Sequence, residues 1–203
     1  MCPEARQCSS QAGSFVAMTI VSEMPESVPA WEIDQAGYLL QAQRLESPNA
    51  DERPDGTEVS LLVIHGISLP AGQFEGDAVE RLFTNRLNCD SHPDFAILRD
   101  LHVSAHFYIR RDGSVCQFVS CSRRAWHAGV SSWQGRSRCN DFSIGIELQG
   151  TDHQPYESAQ YQALRRLCEA VRARYPIESV VGHSDIAPGR KTDPGAAFDW
   201  AQL

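Results

Sequence analysis

Apolar residues recur along this chain as short continuous runs, as alternations and as helical stripes. The run Val59-Ser60-Leu61-Leu62-Val63-Ile64-His65-Gly66 and the segment 177–181 have the length and β-branched content of buried strands. Residues 142–148 alternate instead, with Ile144, Ile146 and Leu148 on one face and Glu147 on the other. Segments 104–110 and 114–119 alternate over shorter spans and are joined through Arg111-Asp112-Gly113, which predicts a hairpin. Between 158 and 175 the apolar stripe Tyr161, Leu164, Leu167, Cys168, Val171 and Tyr175 predicts a helix that Pro176 stops. Val79, Leu82, Phe83 and Leu87 form a second helical face after Pro70 and Gly72. The order strand, helix, hairpin, strand, helix, strand predicts a single α/β domain with a mixed sheet flanked by helices.

The remaining segments carry less pattern. Residues 32–46 mix periodicities and leave their state open, 47–56 is turn-rich, and 126–140 is a long loop rich in Ser, Gly and Arg. Residues 1–30 surround one short apolar run, 15–21, with Ser, Glu, Pro and Gln. A secretory signal with Val28-Pro29-Ala30 as cleavage site competes there with a loose, disordered tail; the tail is the expectation, because the run is short and flanked by Glu4, Glu23 and Glu26. The folded domain is then expected over 31–203, in the cytoplasm.

Length and composition suit one soluble globular domain: 203 residues, 42% hydrophobic and 22% charged. The net charge of −8 argues against nucleic acid as a partner, and nothing in the pattern suggests a membrane span. An anionic ligand would need local positive charge, for which Arg136, Arg138, Arg190 and Lys191 are the visible cluster. Seven cysteines without a C-x-x-C pair read as reduced thiols.

Chemistry concentrates in the stretch from Gly182 to Gly195. It follows a strand and holds His183, Lys191 and Asp193 within a Pro- and Gly-rich path. His65 ends the earlier strand in the same manner, so that two imidazoles and one carboxylate make a candidate catalytic zinc site with one position open to water. Glu147 is a base candidate if its strand passes beside that metal. His102 and His106 imitate the spacing of metalloprotease helices but lack the accompanying Glu. In a strand they would stand about 13 Å apart, so His106 is expected to be structural or to support the site from behind. Trp126 reads first as packing and His153 as an exposed loop residue.

The segments Val63-Ile64-His65-Gly66-Ile67-Ser68-Leu69-Pro70, Val103-Ser104-Ala105-His106-Phe107, Arg124-Ala125-Trp126-His127-Ala128-Gly129, 138–148 and Lys191-Thr192-Asp193-Pro194-Gly195 together resemble the cytoplasmic 1,6-anhydro-N-acetylmuramoyl-L-alanine amidases of bacterial cell-wall recycling. These zinc amidases share a fold with peptidoglycan-recognition proteins. The similarity runs from about Trp31 to Trp200. It implies His65, His183 and Asp193 as Zn²⁺ ligands, Glu147 as the catalytic carboxylate and Lys191 as its cationic partner. It also implies an anhydro-muropeptide as substrate and a monomeric enzyme. Arg138 and Arg190 would supply positive charge to that substrate, with Arg138 at its sugar end and Ala125, Trp126 and Leu148 as wall residues. Two positions depart from the family pattern, Gly66 where Asn is frequent and His102 where Arg is common. Rival readings are a periplasmic amidase acting on intact peptidoglycan and a peptidoglycan-binding module without catalysis.

Overall fold

The computed structural model describes residues 30–203, so the tail reading of 1–29 lies outside the described residues. Ten strands occur among them: β1 (Gln43–Arg44), β2 (Ala50–Asp51), β3 (Leu61–Ile67), β4 (Phe107–Ile109), β5 (Val115–Gln117), β6 (Arg124–Ala125), β7 (Ser132–Trp133), β8 (Arg136–Ser137), β9 (Ser143–Gln149) and β10 (Ser179–Gly182). Three α-helical segments join them: α1 (Ala78–Phe83), α2 (Ser158–Arg174) and the single turn α3 (His183–Ile186). Six strands form the main sheet in the order β1-β5-β4-β9-β3-β10. It is mixed as expected: β3 runs parallel to β9 and β10, β4 runs parallel to β9, and β4 and β5 form the antiparallel hairpin.

Strand alternation gives the sheet two apolar faces. Leu62 and Ile64 of β3, Phe107 and Ile109 of β4, and Ile144, Ile146 and Leu148 of β9 pack with Tyr161, Leu164, Leu167, Cys168 and Val171 of α2 in one buried cluster. Their i, i+3 and i+4 spacing on α2 aligns one stripe with the sheet. On the opposite face, Leu61 and Val63 join Ala128, Phe142, Val181 and Ile186, while Tyr108 and Phe118 join Val79, Leu82 and Phe83 of α1. Both faces of β3 and β9 are therefore covered, which explains their nearly continuous apolar character.

Several expectations need adjustment. Strand β3 does not end at His65 but continues to Ile67, because Gly66 and Ile67 pair with Leu148 and Gln149 of β9. His183 opens a helical turn rather than closing a strand. Helix α1 stops at Phe83, with Leu87 packing on the same cluster from beyond its end. The long loop 126–140 contains a small hairpin, β7 with β8, and 139–141 forms a 3-10 turn. The undecided segment 32–46 supplies the bridge between Ile33 and Leu39 and the edge strand β1.

Gln160 ties α2 to the sheet. Buried in the first turn of the helix, it donates from Nε2 to the carbonyls of Ile109 (3.2 Å) and Gln149 (3.0 Å). Its Oε1 accepts the Glu157 backbone N–H at 3.0 Å. Gln160→Ala would remove a donor from two buried carbonyls and an acceptor from one partly buried N–H, and it is expected to cost about 2 to 4 kcal/mol in urea unfolding. A loss below about 0.5 kcal/mol would show that water replaces the amide at no penalty.

Candidate functional site

The site grows from the face of the sheet that α2 does not cover. Alternation along β3 puts Leu61, Val63 and His65 on that face, and alternation along β9 puts Ser143, Gly145 and Glu147 there. The parallel register sets His65 directly opposite Glu147, and Tyr108 of β4 opposite Glu147 on its other side. Strand β10, paired to β3 from the far edge, delivers His183 at the first residue of α3. The chain then turns back so that the Ser184 N–H donates to the Asp193 carbonyl at 3.0 Å. That return brings the Asp193 carboxylate to the two imidazoles.

His65 Nδ1 and His183 Nδ1 lie 2.9 Å apart, and Asp193 Oδ2 is 3.2 Å from the first and 3.1 Å from the second. All three side chains are buried or half-buried. A tetrahedral shell with bonds of about 2.0 to 2.1 Å spaces its ligand atoms about 3.3 Å apart, so this triangle has the dimensions that a zinc ion requires. Burial pushes the His65 imidazole down to about 4, which leaves a neutral ring with an available lone pair at pH 7. Burial alone would raise the Asp193 carboxyl, but the imidazoles of His183 and His65 beside it outweigh burial and hold the group well below the usual carboxylate range. Two imidazoles and a carboxylate form the donor set of a divalent cation.

Glu147 is buried, with Oε1 4.0 Å from His65 Nδ1 and Oε2 without a hydrogen-bond partner among the described residues. Burial raises its carboxyl well above the ordinary range, the charge of Asp193 adds to the rise, and Lys191 opposes it. An unpartnered buried carboxylate beside three converging donor atoms suits proton transfer or a nearby cation. All four residues open onto a cleft of about 460 Å³ that Lys191, Arg190, Trp126, His102 and Asn140 also line. Leu69, Leu82, Phe83, Leu98 and Val103 add an apolar side.

Most of the expected site residues meet in this cleft. Three do not line it. Ala125 and Leu148 are fully buried, Ala125 in the α1 cluster and Leu148 against α2, because alternation sends Leu148 away from Glu147. Arg138 is exposed outside the cleft lining and pairs with Asp141 at 3.1 Å. Arg190 does line it, although its guanidinium already donates to the carbonyls of Ala128 and Val130, both at 2.7 Å. Of the expected basic cluster, Arg136 stacks on Phe142 and donates to Ser60, leaving Lys191 and Arg190 as the cleft cations. His106 is structural: its Nδ1 accepts the Gly145 N–H at 3.0 Å, and Nε2 faces the Arg123 carbonyl at 3.1 Å. His153 is exposed, and the five cysteines among the described residues are free.

The sequence reading missed His127 and Tyr156. His127 lies 2.9 Å from His65, and its only advance signal was its place in the Trp-His-Ala-Gly segment. Tyr156 donates its hydroxyl to the Pro194 carbonyl at 3.0 Å, beside the ligand Asp193. A Cβ on Gly66 would come within 2.3 Å of that hydroxyl, so glycine at 66 makes room for the tyrosine.

Comparison with known proteins agrees with this geometry. Residues 55–196 match the family model of N-acetylmuramoyl-L-alanine amidase. The 1,6-anhydro-N-acetylmuramyl-L-alanine amidase AmpD of Salmonella typhimurium is 55% identical over 169 residues, covering 82% of this chain and 90% of that protein. The crystal structure of a selenomethionine AmpD derivative superposes with a TM-score of 0.81 at 55% identity, over 82% of this chain and 94% of that one. The peptidoglycan-recognition protein PGRP-SA of Apis mellifera, 13% identical, shares the fold with a TM-score of 0.53 over 79% of this chain and 96% of its own. The chain belongs to the N-acetylmuramoyl-L-alanine amidase family.

Proposed function

We propose that this protein is the zinc-dependent amidase of peptidoglycan recycling that cuts between the lactyl group of 1,6-anhydro-N-acetylmuramic acid and L-alanine of the stem peptide. The observation that carries the reading is the triangle of His65 Nδ1, His183 Nδ1 and Asp193 Oδ2 beside the unpartnered Oε2 of Glu147, on the wall of one cleft. High identity to AmpD over nearly the whole domain supports the substrate. We place the reaction in the cytoplasm, which cell fractionation of the full chain would check; no helix among the described residues is long and apolar enough to cross a membrane.

Zinc held by His65, His183 and Asp193 would supply Lewis acidity toward the scissile carbonyl and lower the pKa of water to about 7. The protein's own groups do the rest. Glu147, whose Oε1 lies 4.0 Å from His65 Nδ1 on the wall of the same cleft, accepts a proton from the attacking water and passes it to the departing alanine nitrogen. Its raised proton affinity favours both halves of that transfer. Lys191 lines the same cleft, and its ammonium would meet the negative charge that grows on the carbonyl oxygen, a contribution of about 3 to 4 kcal/mol in comparable sites. The apolar side, with Trp126, excludes water and seats the sugar. Arg138, exposed and paired with Asp141, would serve the anionic ligand by exchanging that pair for a substrate group.

His65→Ala, His183→Ala and Asp193→Ala are expected to lose zinc and activity together. Glu147→Gln should keep the metal and lose turnover, and without metal it should melt above the wild type at pH 7 because it removes a buried unpaired carboxylate. Elemental analysis, turnover assays and thermal melts check all four. Fully active protein without bound metal would refute the mechanism.

Lys191→Ala should lower kcat by about 100- to 1,000-fold with KM little changed, since the charge it meets develops only in the transition state. A change confined to KM would reassign Lys191 to substrate binding.

For Arg138→Ala, binding of the anhydro-muramoyl tripeptide should weaken by about 1.5 to 3 kcal/mol, the range of a charge-assisted hydrogen bond. The wild type should favour this substrate over its reducing muramoyl counterpart. Equal kcat/KM on the two sugars would remove the claim of anhydro preference, and an unaffected variant would leave Arg138 to its pair with Asp141.

A further inference from the structure

His127 occupies a buried place beside the metal triangle without facing it. Its Nδ1 lies 2.9 Å from His65 Nε2, the nitrogen of His65 that points away from His183 and Asp193, with the two rings edge to face at 89°. The other nitrogen, His127 Nε2, is 3.1 Å from Ser143 Oγ, which in turn donates to the Cys139 carbonyl at 2.6 Å. Ser143 is fully buried and His127 nearly so.

Proton positions along this chain follow from its last member. A carbonyl oxygen only accepts, so the Ser143 hydroxyl proton is committed to Cys139 and its oxygen must accept from His127. His127 Nε2 therefore carries a hydrogen. In a neutral ring Nδ1 is then an acceptor, so His65 must donate from Nε2 and keep the lone pair of Nδ1 free. The second ligand follows the same rule, because His183 Nε2 faces the Ala128 carbonyl at 3.3 Å and can only donate to it. Its Nδ1, 3.1 Å from Asp193 Oδ2, is likewise the nitrogen left for a cation.

One loop thus supplies both supports, and other residues hold that loop. Asn140 Oδ1 accepts the backbone N–H groups of His127 (3.1 Å) and Ala128 (2.8 Å), locking the two successive residues. Arg190 shares the Ala128 carbonyl from the other side at 2.7 Å. The ring of His127 lies on bare backbone: a Cβ at Gly145 would stand 2.5 Å from its Cγ and Nδ1. Ser143, Gly145 and Glu147 occupy the same face of β9, so one strand face anchors the support, makes room for it and carries the carboxylate.

We propose that His127, together with the Ala128 carbonyl, is a tautomer-setting clamp that favours the Nε2-protonated form of both imidazole ligands, the form whose Nδ1 atoms can bind a cation. This rests on the zinc-site reading above. His127 is a positioning residue, since it acts through His65 and touches no reacting atom. A histidine placed only to fill the core would not need a single consistent donor direction through four groups. Partners of this kind typically contribute 10- to 100-fold to metal affinity.

The test is zinc affinity, measured on metal-free full-length protein by competition with a chromophoric chelator, together with melting of each metal-free variant. His127→Ala is expected to bind zinc about 10- to 100-fold more weakly than wild type. His127→Asn, whose side-chain oxygen can stand near the Nδ1 position, should recover most of that loss even if it melts no higher. Ser143→Ala removes only the hydroxyl that sets the direction, and it should weaken zinc by about threefold or more. It also carries the test if His127→Ala does not fold. Cobalt(II) substitution gives a second readout, with the visible d–d bands of His127→Ala shifted from wild type and those of His127→Asn close to it. Zinc affinity within twofold of wild type in Ser143→Ala and in every folded His127 variant would overturn the clamp. Affinities that follow melting temperature rather than the presence of an acceptor would also overturn it. A wild-type protein that binds no zinc would instead remove the metal-site reading itself.

Discussion

His65 and Glu147 stand opposite each other across the parallel strands β3 and β9, and a slip of one residue in that pairing would carry Glu147 round to the face packed against α2. The register is held by what lies on the other face. Ile144, Ile146 and Leu148 must meet Leu164, Leu167 and Val171, and Leu62 and Ile64 must meet the same helix. Any slip would bury Ser143 and Glu147 in that apolar layer and turn three large aliphatic side chains into the face that holds the site. The hydrophobic energy of one face thus positions the chemistry on the other.

The electrostatics of the site follow from this placement. Four titratable side chains are brought into a region with little water, where ionised forms are penalised unless they are paired. His65 responds by remaining neutral, Asp193 keeps its charge through its two histidine partners, and Glu147 is left with a raised affinity for protons. Each response suits a different role, as ligand, anionic ligand and proton carrier. Lys191 and Arg190 give the cleft a local positive character within a chain of net charge −8, which fits a ligand carrying peptide carboxylates.

Support for the site comes from side chains that hold the backbone around it. Asn140 holds two backbone amides, Tyr156 holds the Pro194 carbonyl next to Asp193, and Arg53 donates to the carbonyls of Cys121, Asn140, Asp141 and Ser143. These bonds fasten loops 121–129 and 139–143 to the end of the sheet. A site assembled from loops alone would be free to drift by the fraction of an ångström that metal geometry does not tolerate.

Hydrophobic periodicity determined the α/β class, the β4–β5 hairpin, helix α2 and the strands that carry His65, Glu147 and His183, because each of these is a local pattern with a local physical cause. Residue chemistry along the chain also singled out the three candidate ligands, since two histidines beside strands and an Asp in a Pro- and Gly-rich loop are rare enough to notice. Alternation had already set Leu148 on the face opposite Glu147, against its expected place as a wall residue. What pattern could not supply was that Ala125 turns inward, that Arg138 pairs with Asp141 and that Arg190 is engaged with the 128–130 backbone; these came only with the packed structure. His127, Ser143 and Gly145 are separated from His65 by 62 or more positions and have no periodic relation to it. Their role exists only because strand pairing brings β9 beside β3 and Asn140 folds the intervening loop across both. Such contacts arise from global pairing, to which no local window of the sequence has access.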